Sequence, residues 1–325
     1  MSRASGAGGG SARRPGTGAA GPGPDWRGID WAGRTADLVV DGRRVHLVEM
    51  GEGPACVFVH GLASCWQWWL ETLPAVAALG WRVVAVDLPG FGGSEMPVAM
   101  THESTARCLE GVCEQLALGP VALVGHSMGT VVAPEVASRY PERVAALVLV
   151  GGPPLSVLRL FEHPLRTLRA HPETSSFLIE VATAGLPVSA FMRRQIAARP
   201  WLRRLVFAPY VPRADLLAPD LVFELLGGIG ARGVFPALRN GFGYDVEVAL
   251  RGIACPTMVV GGTLDKITPE RDLREFADLV ELERLEVMAG TGHWPMLERP
   301  GEFVALLGGF LDAHLGREPA RARAG

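Results

Sequence analysis

No stretch of eighteen consecutive apolar residues occurs in the chain, so no membrane-crossing helix is expected. There is no excess of basic charge either. Lys and Arg total 31 against 34 Asp and Glu, a formal net charge of −3, whereas nucleic-acid binding usually rests on a basic stripe. A nucleic-acid partner is therefore not expected. Cysteines are few and scattered: Cys56, Cys65, Cys108, Cys113 and Cys255 form an odd set with neither C-x-x-C nor metal-ligand spacing. They read as unpaired thiols of a reducing compartment, hence a cytoplasmic protein, with no metal or other cofactor expected. The Arg13-Arg14 pair is followed by no apolar segment of the kind that a cleaved export signal needs. Large apolar side chains are scarce up to about Pro24, too few to offset chain entropy. Residues 1–28 are accordingly expected to form a disordered Gly/Ala/Pro-rich tail, and 316–325 a second one.

The remainder is rich in core material: 48% of the residues are hydrophobic and 20% charged. Asp41-Gly42 between two alternating segments predicts a β-hairpin. Short runs apolar on both faces follow, among them Ala55-Cys-Val-Phe-Val-His, Arg82-Val-Val-Ala-Val-Asp, Pro120-Val-Ala-Leu-Val-Gly and Val144-Ala-Ala-Leu-Val-Leu-Val. Such runs suit strands buried in a parallel sheet. Helical patterns lie between them over 66–79, 101–118 and 128–140, and the alternation resumes near Cys255. The fold class predicted is α/β, a mostly parallel, doubly wound sheet covered by helices. From Pro153 to about Tyr244 the alternation stops, and helical pieces are cut by repeated prolines. Residues 153–245 are expected to form a helical cap over one end of a core made of 29–152 and 246–315.

Leu123-Val-Gly-His-Ser-Met-Gly-Thr places G-x-S-x-G between a predicted strand and a predicted helix. A serine on such a sharp turn projects its hydroxyl above the sheet, and small neighbours such as Gly125 and Gly129 are what the turn requires. The helix that follows adds backbone donors and positive dipole where an oxyanion would form. The competing reading of Ser127 is a plain helix cap. Together with His60-Gly61, Asp87-Leu-Pro-Gly-Phe-Gly-Gly-Ser94 and Gly292-His293-Trp-Pro-Met-Leu-Glu298-Arg-Pro, this motif resembles the α/β-hydrolase superfamily over residues 36–315. The resemblance implies that fold and a hydrolytic site. It says far less about substrate.

A serine hydroxyl needs a base to take its proton, and imidazole suits that work near neutrality. Of the eight histidines, His293 lies in a Gly-rich loop after the last strand, and it satisfies the chain order of nucleophile, acid, histidine. His126 adjoins Ser127, but its ring is expected to point away, toward the flank of the sheet. The acid should leave a strand between Ser127 and His293. Asp265 does so, and Thr268 is expected to take the helix-capping role that Asp265 could otherwise fill. Some family members carry the acid after the preceding strand, where this chain has Gly151-Gly152-Pro153-Pro154. Oxyanion donors are expected from the backbone N–H of Met128 and, by resemblance, that of Leu62. Gly61 would allow close approach, and His60 would hold the loop by a side-chain hydrogen bond. The glycines after Asp87 lack the Lys of a phosphate loop and read as a tight turn at the rim of the site.

The function these features suggest is hydrolysis of an ester-type bond in a small or medium apolar substrate through an acyl-enzyme. Serine at the nucleophile position argues against epoxide or haloalkane hydrolysis, which in this superfamily uses a carboxylate there. Carbon–carbon bond hydrolysis uses the same three residues, although Leu62-Ala63-Ser64-Cys65 departs from the glycine-rich loop usual in that group. Cofactor-free haloperoxidase or acyl-transfer chemistry, and a ligand-binding receptor built on the same fold, remain open alternatives. The partner expected is a small molecule, and the sequence is silent on oligomeric state. Leu155, Leu158, Leu160, Phe161, Phe177, Phe191, Met192, Trp201, Phe207, Phe223 and Phe235 supply the apolar content of the cap segment. An apolar pocket is expected beneath them, with the many arginines on solvated outer faces.

Overall fold

A computed structural model describes residues 24–241, Tyr244 and 246–316. The expected tails lie largely outside these residues, but the end of the first is ordered. Trp26 is buried and donates to Glu71 Oε1 at 3.1 Å, and the Arg27 guanidinium pairs with Asp220. A large indole that finds a core and a polar partner belongs to the folded part, so the tail expected over 1–28 does not extend to Trp26.

One eight-stranded sheet organises the chain: β1 (Thr35–Val40), β2 (Arg43–Met50), β3 (Ala55–Val59), β4 (Arg82–Val86), β5 (Val121–His126), β6 (Val144–Val150), β7 (Thr257–Gly262) and β8 (Arg284–Met288). Its order is β1-β2-β4-β3-β5-β6-β7-β8. β2 pairs antiparallel with both β1 and β4, and every other pairing is parallel. The hairpin turn has positive φ at both Asp41 and Gly42, the backbone that a tight two-residue connection demands.

The core helices are α1 (Leu73–Ala78), α2 (His102–Gln115) and α3 (Gly129–Arg139). Between β6 and β7 the described α-helices are α4 (Leu155–Glu162), α5 (Pro164–Ala170), α6 (Ser175–Ala184), α7 (Ala190–Ala198), α8 (Pro200–Phe207), α9 (Pro219–Leu225), α10 (Val234–Asn240) and α11 (Val246–Arg251), and no strand occurs among the described residues there. Then come α12 (Glu270–Leu279), α13 (Pro295–Glu298) and α14 (Pro300–Leu315).

Both faces of the sheet are covered. Along β3, Val57 and Val59 pack into one apolar cluster with Leu109 of α2 and Val132 of α3. Cys56 and Phe58 point into the other, with Val76 of α1 and Leu307 of α14. The chain leaves β3 toward β4 on one side and enters β5 on the other. The crevice outside the carboxyl ends of β3 and β5 is thus the place where strand order reverses, which is where open α/β sheets bind ligands.

The predicted single helix over 66–79 is instead a short 3₁₀ turn, Trp66–Trp69, followed by α1. Pro74, in the first turn of α1, has no N–H to continue a preceding helix but is tolerated at a helix start. The insertion is anchored to the core through α4 and α12. Asp272 accepts from the backbone N–H of Ser156 at 2.8 Å and from its hydroxyl at 2.6 Å, and Arg159 pairs with Glu275.

Candidate active site

Ser127 sits on the turn between β5 and α3 with φ 51°, in the left-handed region. For a residue with a Cβ that conformation costs of order 1 kcal/mol or more and persists only where the surroundings impose it. Here they do. Ser127 N–H donates to the Val150 carbonyl of β6 at 2.9 Å, and the Ser127 carbonyl accepts from Thr130 N–H at 2.7 Å. The flanking glycines are steric necessities. A Cβ on Gly125 would stand 2.3 Å from the Gly129 carbonyl oxygen, and one on Gly129 would stand 2.5 Å from that of Val59.

Two other loops converge on this hydroxyl. His293 Nε2 lies 2.9 Å from Ser127 Oγ, and His293 Nδ1 lies 2.7 Å from Asp265 Oδ2. With Nδ1–H donating to the carboxylate, Nε2 is left as the acceptor for the hydroxyl proton. The second oxygen of Asp265 accepts from Ile267 N–H at 2.8 Å and Thr268 N–H at 2.9 Å, fixing the carboxylate in a tight turn. Thr268 does not cap α12 as expected: its hydroxyl donates to the Gly151 carbonyl at 3.1 Å. The carbonyl that follows β6 takes that hydroxyl before the helix begins.

The histidine loop is held from both sides. Glu298 Oε1 accepts from Gly292 N–H at 2.8 Å and Trp294 N–H at 3.3 Å, while His293 N–H donates to the Tyr210 carbonyl of the insertion at 2.7 Å. Burial favours a neutral His293 imidazole, but the Asp265 carboxylate and its hydrogen bond outweigh that, with Glu180 adding to them. The ring is held above the ordinary histidine range. Burial raises the Glu298 carboxyl to about 7.

The loop after β3 lies against the serine, since a Cβ on Gly61 would stand 3.0 Å from that of Ser127. His60 secures it. Its Nδ1 donates to the Gly61 carbonyl at 2.8 Å, and its Nε2 accepts from Leu88 N–H at 3.0 Å. Burial depresses its pKa, consistent with this neutral, hydrogen-bonding role. Among the described residues the N–H groups of Leu62 and Met128 donate to no protein acceptor, and both residues border the same small cavity as Ser127. The Asp87 turn is structural: its two oxygens accept from Trp66 N–H at 2.7 Å and Gly93 N–H at 2.8 Å. That ties the loop carrying Gly61 and Leu62 to the end of β4.

His126 corrects a second expectation. Its ring faces the site, donating from Nε2 to the His293 carbonyl at 3.1 Å and stacking on Trp68 at 5.8 Å. Trp68 and Trp69 make an aromatic seat on that side of β5, which outweighs solvation of the ring at the sheet flank. Burial holds its pKa well below the usual value.

Above Ser127 is a cavity of about 390 Å³, bordered by Trp68, His126, Met192, Leu205, Phe207 and Trp294 among others. A smaller lobe of about 70 Å³ lies beyond, bordered by Phe177, Leu158 and Leu238. Among the described residues neither lining contains Arg or Lys. Of the apolar residues expected in the insertion, Met192 and Phe207 border the larger lobe, and Leu158 and Phe177 the smaller. Phe191, Trp201 and Phe235 are exposed, and the Phe161 side chain lies outside the described residues.

One residue that the sequence did not single out stands at the junction of the lobes. Glu180 of α6 borders both, alongside Ser127. It is 9% exposed, and burial, reinforced by Asp265, raises its carboxyl to about 7. In sequence it is one acid in the apolar run Phe177-Leu-Ile-Glu-Val, the usual look of a solvated position. Only the fold turns it inward.

The arrangement can deliver a serine oxygen, with its proton removed, to a carbonyl carbon in a largely apolar chamber. Comparison with known proteins agrees on the scaffold. A family model described as "Alpha/beta hydrolase family" matches residues 56–306. A 2-hydroxymuconate semialdehyde hydrolase from a Pseudomonas species is 29% identical over 287 residues, covering 85% of this chain and 93% of that protein. Epoxide hydrolase A of Mycobacterium tuberculosis is 27% identical over 318 residues, covering 86% and 98%. The crystal structure of a bromoperoxidase from Bacillus anthracis superposes with a TM-score of 0.66 at 21% identity, over 86% of this chain and 99% of that one. That likeness speaks to fold alone.

Proposed function

This chain belongs to the alpha/beta hydrolase family, and within it we propose a serine hydrolase that cleaves an ester-type bond in a small or medium apolar substrate. The observation that carries the proposal is the unbroken hydrogen-bonded chain from Ser127 through His293 to Asp265 at the floor of a cavity bordered, among the described residues, by no Arg or Lys. Ser127 Oγ attacks the carbonyl carbon while His293 Nε2 takes its proton, and Asp265 stabilises the imidazolium. The N–H groups of Leu62 and Met128 receive the developing oxyanion, each donor worth about 3 kcal/mol in comparable sites. The imidazolium then protonates the departing alcohol. His293 next activates water, which releases the acid and restores the serine. The helices between β6 and β7 act as a cap that sets the shape of the chamber.

Serine at the nucleophile position sets this chain apart from epoxide-hydrolase chemistry, despite the resemblance to such enzymes. The Pseudomonas relative favours a second reading, hydrolysis of a carbon–carbon bond by the same three residues. An anionic substrate such as a muconate would meet the Glu180 carboxyl and, among the described residues, no Arg or Lys in either lobe, which favours the ester reading. Turnover of p-nitrophenyl acetate and butyrate tests the proposal, with a ring-cleavage product assayed in parallel. Ester hydrolysis that vanishes in Ser127→Ala supports it. Turnover of the ring-cleavage product alone would move the assignment to the second reading, and turnover of neither would leave a ligand-binding role.

A further inference from the structure

The stretch 181–214 contains six arginines and no aspartate or glutamate, although the chain as a whole carries a net charge of −3. Four of the six are engaged internally, Arg199 with the side chain of Gln195 one turn back on α7. Arg193 donates to the Phe223 carbonyl, Arg203 is buried on the Asp215 carbonyl, and Arg213 pairs with the Asp215 carboxylate at 3.3 Å. Arg194, Arg199 and Arg204 are exposed on α7, at the single residue that joins the two helices, and on α8. Among the described residues the one carboxylate within ion-pair distance of them is Asp215, 3.9 Å from the Arg204 guanidinium.

Large apolar side chains stand among these arginines on the solvent side. Phe191 is 70% exposed, Trp201 63% and Leu205 67%. Met192, Leu205 and Val206 are exposed and also border the 390 Å³ cavity, so this face forms the rim of the chamber above Ser127. Exposed aromatic and aliphatic residues interleaved with arginine, in helices that carry no acid of their own, match the chemistry of a helix lying in a lipid headgroup layer. A two-fold contact with a second copy would set Arg194, Arg199 and Arg204 against their own counterparts, which like-charge repulsion opposes.

We propose that the α7–α8 face docks on an anionic phospholipid surface. Phe191, Trp201 and Leu205 enter the boundary between headgroups and acyl chains, and Arg194, Arg199 and Arg204 meet the lipid phosphates. The mouth of the chamber then opens toward lipid, and an apolar substrate can enter without crossing water. Docking needs no chemistry at Ser127, so it stands or falls independently of the hydrolase assignment.

The test is co-sedimentation of the full chain with phosphatidylcholine vesicles, with and without phosphatidylglycerol. The expected result is binding at least about tenfold tighter to the anionic vesicles, weakening as salt is raised. The triple variant Arg194→Ala/Arg199→Ala/Arg204→Ala should lose that preference, at about fivefold per arginine. The double variant Phe191→Ala/Trp201→Ala should weaken binding to both vesicle types. None of these five side chains borders the cavity, so activity on a water-soluble ester should be unchanged and reports that the variants fold. The proposal is overturned if wild type ignores anionic vesicles, if the arginine variant binds as wild type does, or if light scattering finds a dimer that Phe191→Ala/Trp201→Ala dissociates.

Discussion

Ser127, Asp265 and His293 each leave a strand of the buried sheet, whereas the side chains above them come from helices of seven to ten residues separated by prolines. At the sheet end, position is imposed by backbone. Ser127 is pinned by hydrogen bonds to β6 and α3, Asp265 by two amides of its own turn, and the loop of His293 by Glu298 and the Tyr210 carbonyl. Above it, position comes from packing of apolar side chains, several of them half in solvent. The contrast teaches that one region fixes which bond chemistry is possible, and the other decides what reaches it. Changes to the floor should strike kcat, and changes to the roof should strike KM, selectivity and pH response.

The largest expected effect is at the floor. Ser127→Ala should lower kcat on p-nitrophenyl butyrate by about 10⁴-fold or more while leaving the circular dichroism spectrum intact. Asp265→Asn should come next, at roughly 10³ to 10⁴ in kcat with little change in KM, because the imidazole loses the partner that sets its tautomer. Gly129→Ala probes the fold beneath them: the 2.5 Å clash with the Val59 carbonyl should lower the thermal midpoint by several degrees. An unchanged midpoint would show that the elbow relaxes freely.

Roof substitutions should be milder. Glu180→Gln should change kcat/KM for neutral esters by less than about tenfold, yet reshape the pH profile. As the proposed base His293 must be neutral to act, and its raised pKa should place the acidic limb above the ordinary imidazole value of 6.5. Removing the Glu180 charge takes away one cause of that rise, so the limb should move to lower pH. Stability should respond too. The folded Glu180 holds its proton up to about 7, while the unfolded side chain releases it near 4.5. Its contribution is therefore full below 4.5 and is lost as pH rises through about 7, so the variant should show a flatter stability curve across that window. Met192→Ala, at the rim, should have the smallest effect, a severalfold rise in KM with kcat nearly constant.

The same contrast explains what could be read from the sequence. The hairpin at Asp41-Gly42, the strand runs and the glycines around Ser127 were legible because each reflects a local steric demand. Asp265 and His293 were legible as candidates because loops that follow strands of a parallel sheet meet at one end of it. His126 was misjudged because its ring is turned by Trp68 and Trp69, partners more than fifty residues away in the chain. The break between Trp66–Trp69 and α1 was signalled by Pro74, although apolar periodicity hid it. Glu180 and the Tyr210 carbonyl escaped altogether. Their roles exist only once the insertion folds back over the sheet, and no local pattern encodes that packing.

The most direct test of the hydrolase assignment is peptide mapping by mass spectrometry after exposure to a fluorophosphonate, across pH. A single adduct on Ser127 is expected, formed faster as His293 loses its proton and abolished in His293→Ala. An unlabelled Ser127 under conditions where the protein is folded, or labelling indifferent to His293, would contradict it.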